Sequence, residues 1–272
     1  MLRSLRIEVP SEPEGFPLGL PFVRQLGEVA MSPTVTLLAG PNGSGKSTLL
    51  EAIAIETRLP AIGSQPAHSD PTLAPVRPLA RALRLSWSTR TRRGFFLRAE
   101  DVFGFLLALR RQAGELAAEL EEAKVRLEGS SEYARRLGLG PLRGSMGALR
   151  ARYGENPDAR SHGETFLHLF RERLAPGGLY LLDEPEAALS PESQLALVSM
   201  MSDAVGVGSQ FIVATHSPLL LAIPSAKILD FDEGGVRESS WEDLASVRLW
   251  RELLDAPARY LRHVWRPDEE GT

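Results

Sequence analysis

The sequence predicts an α/β fold with a central, mostly parallel sheet flanked by helices, and three stretches predict it. Gly40–Thr48, here called the glycine loop, stands between an apolar run and an apolar-faced helix. Leu179–Glu184 is an apolar run that ends in two acids, and Phe211–Thr215 is an apolar run followed by a histidine. Buried strands of this kind are typical of parallel sheets, whose ligands bind at the carboxyl edge.

The glycine loop fits the phosphate-binding pattern G-x-x-x-x-G-K-[ST] at every fixed position. The run Val35–Ala39 before it predicts a buried strand, and Leu49–Ile55 after it predicts a helix. Glycines let the loop's N–H groups surround an anion, and the helix start adds its positive dipole end. We expect Lys46 to reach the β- and γ-phosphates. The expected nucleotide-binding residues are Gly40, Asn42, Gly43, Ser44, Gly45, Lys46, Ser47 and Thr48.

The two acids at the end of Leu179–Glu184 predict a metal and a catalytic base. In folds with such a loop, a carboxylate at a strand end holds Mg²⁺ beside the phosphates, so Ser47 and Asp183 are the predicted metal ligands. Glu184 is predicted to orient and polarise the attacking water. The bound groups that the sequence predicts are therefore ATP and Mg²⁺.

A histidine follows the third predicted strand. A lone histidine is more often structural, but His216 ends a core strand as the two acids do. It is therefore predicted to contact the γ-phosphate. The predicted catalytic residues are Glu184, His216 and Lys46.

Composition limits the class of protein. The chain has 272 residues, of which 43% are hydrophobic, and we expect one domain over residues 1–272. Its net charge of −4 gives no global attraction to nucleic acid or anionic membrane. The absence of cysteine excludes disulfides, thiolate metal sites and cysteine nucleophiles. No apolar run approaches the roughly 20 residues of a membrane helix, so we expect a cytoplasmic protein without a membrane segment.

The remaining elements of the first hundred residues follow from local patterns. Leu2–Val9 alternates loosely and predicts a strand, while Phe22–Leu26 predicts a short strand or turn. The proline-rich stretch Pro60–Pro78 predicts a long loop. Leu83–Ser88 alternates cleanly and predicts a strand with one wet face.

Beyond these elements the chain turns helical. Glu100–Glu128 predicts a helix of roughly 40 Å if it is unbroken, and the glycines at 138, 140, 144 and 147 predict a flexible stretch. We expect residues 100–160 to form a small helical insertion. Residues 240–266 predict C-terminal helices that begin at a capping box formed by Ser240 and Asp243.

Arg77–Arg98, here called the arginine run, holds seven arginines and no acid, with Phe95 and Phe96 among them. Basic residues interleaved with aromatic ones can bind DNA or RNA through the backbone and the bases. A solvated strand face with a turn, or arginines that serve the nucleotide site, explains the pattern equally simply. The sequence leaves these alternatives open.

Ser161-His162-Gly163-Glu164 precedes the helical run Thr165–Leu174 and forms a capping box. With the glycine loop, Leu179–Glu184, Ala188–Pro191 and Thr215–Ser217, it stands in the motif order of the ABC-type ATPase nucleotide-binding domain. The five stretches resemble its Walker A, signature, Walker B, D-loop and H-loop motifs. Within that superfamily the chain resembles the small bacterial "AAA family ATPase" group. The resemblance covers roughly Leu2 to Asp232.

The resemblance implies a P-loop NTPase fold of ABC type, with an antiparallel β portion and a helical insertion. It also implies an ATP-dependent homodimer in which Ser161 and Gly163 contact the γ-phosphate of the partner's ATP. The family's Q-loop glutamine has two candidates, Gln65 and Gln112, and the segment Phe95–Glu100 is the third alternative, in which it replaces that glutamine. The family's adenine-contacting aromatic has two candidates, Phe16 and Phe22.

Three functions are consistent with this resemblance. The first is Mg²⁺-dependent ATP hydrolysis at a homodimer interface. The second is an ATP-switched clamp of the repair or defence type that binds nucleic acid, through the arginine run, or a protein. The third is the nucleotide-binding subunit of a transporter, which the departure of Ser161–Glu164 from the Leu-Ser-Gly-Gly-Gln form disfavours.

Overall fold

The computed structural model describes residues 1–9, 15–62, 67–153, 162–232 and 235–264. Its strands are β1 (Leu2–Ile7), β2 (Val29–Ala30), β3 (Val35–Ala39), β4 (Leu83–Trp87), β5 (Gly94–Arg98), β6 (Leu179–Asp183), β7 (Gln210–Ala214), β8 (Lys227–Asp232) and β9 (Gly235–Ser239). Its α-helices are α1 (Pro21–Gln25), α2 (Lys46–Thr57), α3 (Arg77–Ala82), α4 (Ala99–Arg126), α5 (Glu132–Tyr153), α6 (His162–Arg173), α7 (Pro191–Gly206), α8 (Pro218–Leu221), α9 (Ala245–Asp255) and α10 (Pro257–Val264). Short 3-10 helices cover Pro71–Val76, Pro185–Ala188 and Trp241–Asp243.

The described strands form two sheets. The larger has the order β5-β6-β7-β3-β8-β9, in which β9 alone runs antiparallel to its neighbour. The smaller is antiparallel, with the order β2-β1-β4. The predicted fold class is therefore confirmed: a mostly parallel sheet flanked by helices, with an antiparallel β portion.

Strand register brings the predicted motifs to one edge of the larger sheet. Asp183 at the end of β6 pairs with Ala214 at the end of β7, and Ala214 pairs with Leu38 of β3. The glycine loop begins directly after Ala39, the last residue of β3. Because the three strands are parallel neighbours, the polar residues that follow them share the carboxyl edge of the sheet.

The larger sheet is covered on both faces, since β3, β6 and β7 are buried along their whole length. Successive side chains of a strand point to opposite faces, and accordingly Leu38 packs with α2, α3 and the antiparallel sheet while Leu37 packs with α6 and α7. Strands buried on both faces need continuous apolar runs. That requirement explains the apolar stretches seen in the sequence.

A buried glutamine joins the two sheets. The side-chain amide of Gln210, the first residue of β7, donates hydrogen bonds to the carbonyl oxygens of Leu2 and Ser32. Its Oε1 accepts from the N–H of Leu2 at 2.8 Å. The backbone of β1 therefore has hydrogen-bond partners where the two sheets meet.

Two long helices, α4 and α5, form an antiparallel hairpin against each other. The glycine-rich part of the sequence was predicted to be flexible, and this prediction is wrong, because α5 runs unbroken through it and through Pro141. A Cβ at Gly138 would lie 2.6 Å from Leu127 Cδ1, so the missing side chain permits the close approach of the chain turn. Within the described part of the chain, no helix has both the length and the apolar character needed to span a bilayer.

Two other expectations are corrected. Phe22–Leu26 is neither strand nor turn but mostly helix α1, which begins with Pro21 at its first position and buries Phe22 and Val23. The stretch Pro60–Pro78 is not one long loop, because Asp70 caps a 3-10 helix through Thr72 and α3 begins at Arg77. Because proline is tolerated in the first turn of a helix, a loop predicted from prolines alone is longer than the real one.

Candidate functional site

The glycine loop joins β3 to α2 and holds a buried lysine. Lys46, the first residue of α2, is 4% exposed, and its Nζ donates to the carbonyl oxygens of Gly40 and Pro41 at 2.8 and 2.9 Å. Burial lowers the pKa of Lys46, while the nearby carboxylates of Glu184, Asp183 and Glu186 oppose this shift. The first turn of a helix has N–H groups without intrahelical acceptors, so cation and helix end together suit a phosphate.

Two positions in the loop require glycine. Gly40 has φ of 130°, and a Cβ there would lie 2.1 Å from the carbonyl oxygen of Phe231. Gly45 has φ of 99°, and its Cβ would lie 2.4 Å from the ring of Phe22. Phe22 is therefore buried behind the loop and cannot stack on adenine, whereas the other candidate, Phe16, is 59% exposed.

The two predicted metal ligands lie together. Ser47 Oγ donates to Asp183 Oδ1 at 3.0 Å, and thus α2 and the end of β6 present a hydroxyl and a carboxylate side by side. Oxygen ligands of this kind are what Mg²⁺ prefers. Burial raises the pKa of Asp183 to about 6, and the carboxylates of Glu184 and Glu186 add to the shift. A buried carboxylate surrounded by other acids is a fitting place for a divalent cation.

This raised pKa predicts how stability depends on pH in the nucleotide-free protein after any bound metal has been removed with a chelator. Between pH 3.8, the ordinary pKa of the group, and about pH 6, its pKa in the folded state, the carboxyl of Asp183 stays protonated in the folded state and is ionised in the unfolded state. The free energy of unfolding therefore falls as pH rises through that window, by at most about 3 kcal/mol. Asp183→Asn should remove this component of the pH dependence in chemical denaturation. Parallel pH profiles for the two proteins would contradict the prediction.

Glu184 directly follows β6 in an unusual backbone conformation. Its φ and ψ of 47° and 49° lie in the left-handed region, which few non-glycine residues adopt. Its N–H donates to the carbonyl oxygen of Ala214 at 2.9 Å, which holds it at the end of β7. The side chain is 44% exposed. Glu184 therefore presents a partly solvated carboxylate beside Asp183 at the sheet edge.

His216 lies opposite Glu184, in the turn between β7 and α8. Its Nε2 is 3.6 Å from Glu184 Oε1, which is beyond hydrogen-bond length, and this atom is buried without a hydrogen-bond partner among the described residues. Burial and the positive charge of Lys46 lower the pKa of His216. A neutral imidazole near Glu184 and Lys46 is therefore favoured in the nucleotide-free protein.

A third acid, Glu186, contacts the segment Thr215–Ser217, here called the histidine turn. Glu186 Oε1 accepts from Thr215 Oγ1 at 2.6 Å and from the N–H groups of His216 and Ser217 at 2.7 and 3.1 Å. Its Oε2 is buried without a hydrogen-bond partner among the described residues. The sequence assigned Glu186 no role, because nothing local distinguishes it from an acid in an exposed turn.

Of the two predicted signature residues, Ser161 lies outside the described residues, and Gly163 is in the first turn of α6. Gly163 is buried, and a Cβ there would lie 3.2 Å from the carbonyl oxygen of Ala188 and 3.3 Å from Ser193 Oγ. The start of α6 therefore packs closely on the segment that follows β6. That contact is a packing reason for a glycine at this helix start.

Arg98 occupies the end of β5, in register with Asp183. Its guanidinium is buried and donates two bonds of 2.8 Å to the carboxylate of Asp101 and one of 3.1 Å to Asp70. Bidentate pairing with a carboxylate gives such a group a fixed orientation. Arg98 thereby ties the sheet edge to the start of α4 and to the 3-10 helix after Asp70.

The distance of each Q-loop candidate from the sheet edge beside Asp183 distinguishes the candidates. Gln112 is thirteen residues beyond Ala99 in α4, about 20 Å along the helix axis from the end of β5. Gln65 lies outside the described residues. Of the three candidates, the segment Phe95–Glu100 is therefore the one that the described chain brings to the edge beside Asp183.

The arginine run does not form one surface. Phe95 and Phe96 are 3% and 0% exposed in the core, and they cannot stack on bases as one interpretation of the run required. Arg98 is buried among acids, and Arg84 pairs with Glu8 at 2.7 Å. The aromatic residues of the run thus belong to the buried strand β5, whereas exposed arginines of the run lie in β4 and in the connection between β4 and β5.

Fold and site together define a P-loop nucleotide-binding domain. Two family models match the chain, each over less than half of it. One is described as "AAA domain, putative AbiEii toxin, Type IV TA system" and matches residues 165–222, and one described as "AAA domain" matches residues 21–55. The chain thus resembles AAA-type ATPase domains in the segments that hold the glycine loop, the two acids and the histidine turn. None of the curated proteins matches the sequence.

Solved structures of low sequence identity are similar to the chain. The ATP-binding subunit of an ABC transporter has a TM-score of 0.46 and 19% sequence identity, and the alignment covers 93% of this chain and 100% of the subunit. A nucleotide-free ATP-binding cassette from an ABC transporter has TM-score 0.46 and 17% identity over 98% and 100%. The Smc head domain of Pyrococcus furiosus has TM-score 0.45 and 14% identity over 93% and 99%.

Proposed function

We propose that this protein binds ATP with Mg²⁺ and hydrolyses it at an interface between two copies of the chain. The observation that carries the proposal is the 3.0 Å hydrogen bond between Ser47 and Asp183. It joins the start of the phosphate-binding helix to the acidic strand end, with Lys46 buried beside them. A cation, a hydroxyl and an acid converging on a helix N-terminus suit the polyphosphate of a nucleotide.

Each residue then has a separate role. Lys46 and the loop N–H groups bind the β- and γ-phosphates, and Ser47 and Asp183 hold Mg²⁺. When bound, the ion neutralises charge on the phosphate oxygens. Glu184 orients and polarises the attacking water, and His216 contacts the γ-phosphate. Rate acceleration in phosphoryl transfer comes mainly from such positioning and charge stabilisation.

A second copy completes the site in this proposal. Gly163 and Ser161 of one chain contact the γ-phosphate bound by the other, as the resemblance to ABC-type domains implies. The first-turn N–H groups of α6, a helix of 12 residues, are the donors available for that contact. Gly163 packs on Ala188 within its own chain. We therefore expect the main chain of Gly163 to make the contact with the partner's phosphate.

The experiment that tests the proposal is steady-state phosphate release from ATP and Mg²⁺, with Glu184→Gln as the matched blank. Turnover that is lost in the variant supports hydrolysis at this site. Turnover that the variant retains would place the reaction elsewhere or in a contaminant.

A second candidate function is supported by a basic cleft at the far end of α2 from the glycine loop. This cleft, of about 630 Å³, is lined by Arg58, His68, Arg90 and Arg92, with Glu56 as the single acid among the described lining residues. No carboxylate of the described residues forms an ion pair with its three arginines. Its described lining contains no Phe, Tyr or Trp. Charge without a stacking surface favours the backbone of duplex DNA over single-stranded bases.

We expect Arg90→Gln with Arg92→Gln to weaken binding to a short duplex roughly tenfold or more. We also expect it to lower the slope of log affinity against log salt by about 2, because each arginine that contacts a phosphate contributes about 1. Fluorescence anisotropy over a salt series measures both quantities. Arg84→Gln, which lies in the same run but pairs with Glu8, is the matched control. Absence of binding by the wild type, or an unchanged slope, would exclude the cleft as a DNA site.

A further inference from the structure

We infer that Glu186 is a positioning residue for ATP hydrolysis, because it holds the histidine turn against the strand end that carries Asp183 and Glu184. The inference rests on the proposed function and assigns that same site a further residue. Glu186 contacts neither phosphate nor water in this role. It acts through His216.

The hydrogen bonds of Glu186 define the role. A single carboxylate oxygen accepts from the Thr215 hydroxyl and from two successive backbone N–H groups, those of His216 and Ser217, at 2.6 to 3.1 Å. Hydrogen bonds to an ionised acceptor are roughly twice as strong as neutral ones. With three donors on one oxygen, Glu186 holds the main chain of His216 in place.

Glu186 reaches the turn because of where its own backbone begins. β6 and β7 are parallel neighbours whose pairing ends at Asp183 and Ala214. The 3-10 helix Pro185–Ala188 then turns the chain back toward the end of β7. Glu186 therefore bridges two strand ends at the point where main-chain pairing between them has stopped.

A second link runs through Gln194 of α7. Ser217 Oγ donates to Gln194 Oε1 at 2.6 Å, and Gln194 Nε2 donates to the carbonyl oxygen of Leu189 at 3.2 Å. Glu186 and Leu189 both belong to the stretch after β6. The histidine turn is thus attached at two points to the stretch that follows the predicted base.

The consequence concerns the spacing of Glu184 and His216. Their side chains are 3.6 Å apart at the closest N and O atoms, with no hydrogen bond between them. Since Nε2 of His216 has no hydrogen-bond partner among the described residues, no such bond at its tip fixes the ring. Its place relative to Glu184 depends on the turn, and the turn depends on Glu186.

The role also distinguishes the two neighbouring acids. One oxygen of Glu186 is occupied by three donors and the other is buried. The carboxylate of Glu184 is 44% exposed. Glu184 is thus the acid that can reach a water molecule, and Glu186 is the acid that is committed to the turn.

The test measures turnover and ATP affinity for Glu186→Ala and Glu186→Gln. We expect Glu186→Ala to lower kcat about 100-fold, since a misplacement near 1 Å can have that effect, while the Kd for ATP changes less than about threefold. Glutamine has the same length and keeps one oxygen that can accept the three bonds. Glu186→Gln should therefore stay within about tenfold of the wild type. Glu172→Gln, on the exposed side of α6, is the matched control.

A double-mutant cycle with His216→Ala separates positioning from a general structural effect. If Glu186 acts through His216, either Glu186 substitution should lower kcat less than about threefold once His216 has been removed. Independent effects that multiply, or equal losses in Glu186→Ala and Glu186→Gln, would overturn the inference. If Glu186→Ala does not fold, Glu186→Asp takes its place in the cycle, because its side chain is one methylene too short to keep the three hydrogen bonds.

The proposed function and this inference fail in different ways. The proposed function is refuted if the wild type has no turnover or if Glu184→Gln retains it. The inference alone is refuted if the wild type hydrolyses ATP, Glu184→Gln does not, and the Glu186 variants match the control.

Discussion

Glu184→Gln is expected to lower steady-state ATP hydrolysis by about 100-fold or more, since a positioned general base contributes at least that much. The glutamine keeps the size of the side chain and removes only the charge that polarises water. Lys46, Ser47 and Asp183 are untouched, so ATP binding should stay within about threefold of the wild type. Phosphate release and the binding of a fluorescent ATP analogue measure the two quantities.

The same variant tests the role of the second copy. A site that binds ATP and cannot hydrolyse it should accumulate the ATP-bound dimer, which size-exclusion chromatography with light scattering detects. Under the same turnover conditions, the control Glu172→Gln should contain the same fraction of monomer as the wild type. Near-normal turnover in Glu184→Gln would show that another group is the base. A monomer that traps ATP would instead contradict hydrolysis at a shared interface.

Lys46→Ala is expected to weaken ATP binding by about 100-fold or more, which is within the range for removing one partner of a buried charge pair. In the nucleotide-free protein its ammonium group is held by two carbonyl oxygens of the glycine loop. Phosphate oxygens would provide stronger, charged partners for the same three donors. Isothermal titration calorimetry with ATP and Mg²⁺ measures the loss.

Lys46→Arg is the companion variant. The site is almost fully buried, and the planar guanidinium is larger than the ammonium group that fits between Gly40 and Pro41. We therefore expect arginine to restore little of the lost affinity. Thermal unfolding without nucleotide is the control, since both variants must be folded for the comparison. If Lys46→Ala bound ATP within threefold of the wild-type affinity, the assignment of Lys46 to the ATP-binding site would be wrong.

Local patterns in the sequence were sufficient to predict the architecture and to indicate which residues lie together at the carboxyl edge of the sheet. The glycine loop required glycine where φ is positive and a neighbouring group lies too close for a Cβ, as at Gly40 and Gly45. The strands β3, β6 and β7 are mostly apolar because they are buried along their whole length. These requirements act on consecutive residues and are therefore visible in a single sequence.

Features that depend on packing between distant elements were not visible. Phe95 and Phe96 suggested a stacking surface beside the arginines, and only the position of β5 in the sheet shows that they are core residues. The glycines of α5 suggested a flexible stretch, yet packing against α4 stabilises a continuous helix there. Intrinsic propensity is weak enough for tertiary contacts to override it.

The sequence by itself determined which polar residues lie at or just beyond the ends of the core strands, namely Asp183, Glu184 and His216, because buried strands and their ends leave a local signature. Only the tertiary structure decided that Glu186 accepts three hydrogen bonds from the histidine turn, because its donors lie about thirty residues away. A hydrogen bond between distant segments depends on strand order and register. These are set by the packing of the whole sheet and leave no pattern around the residue itself.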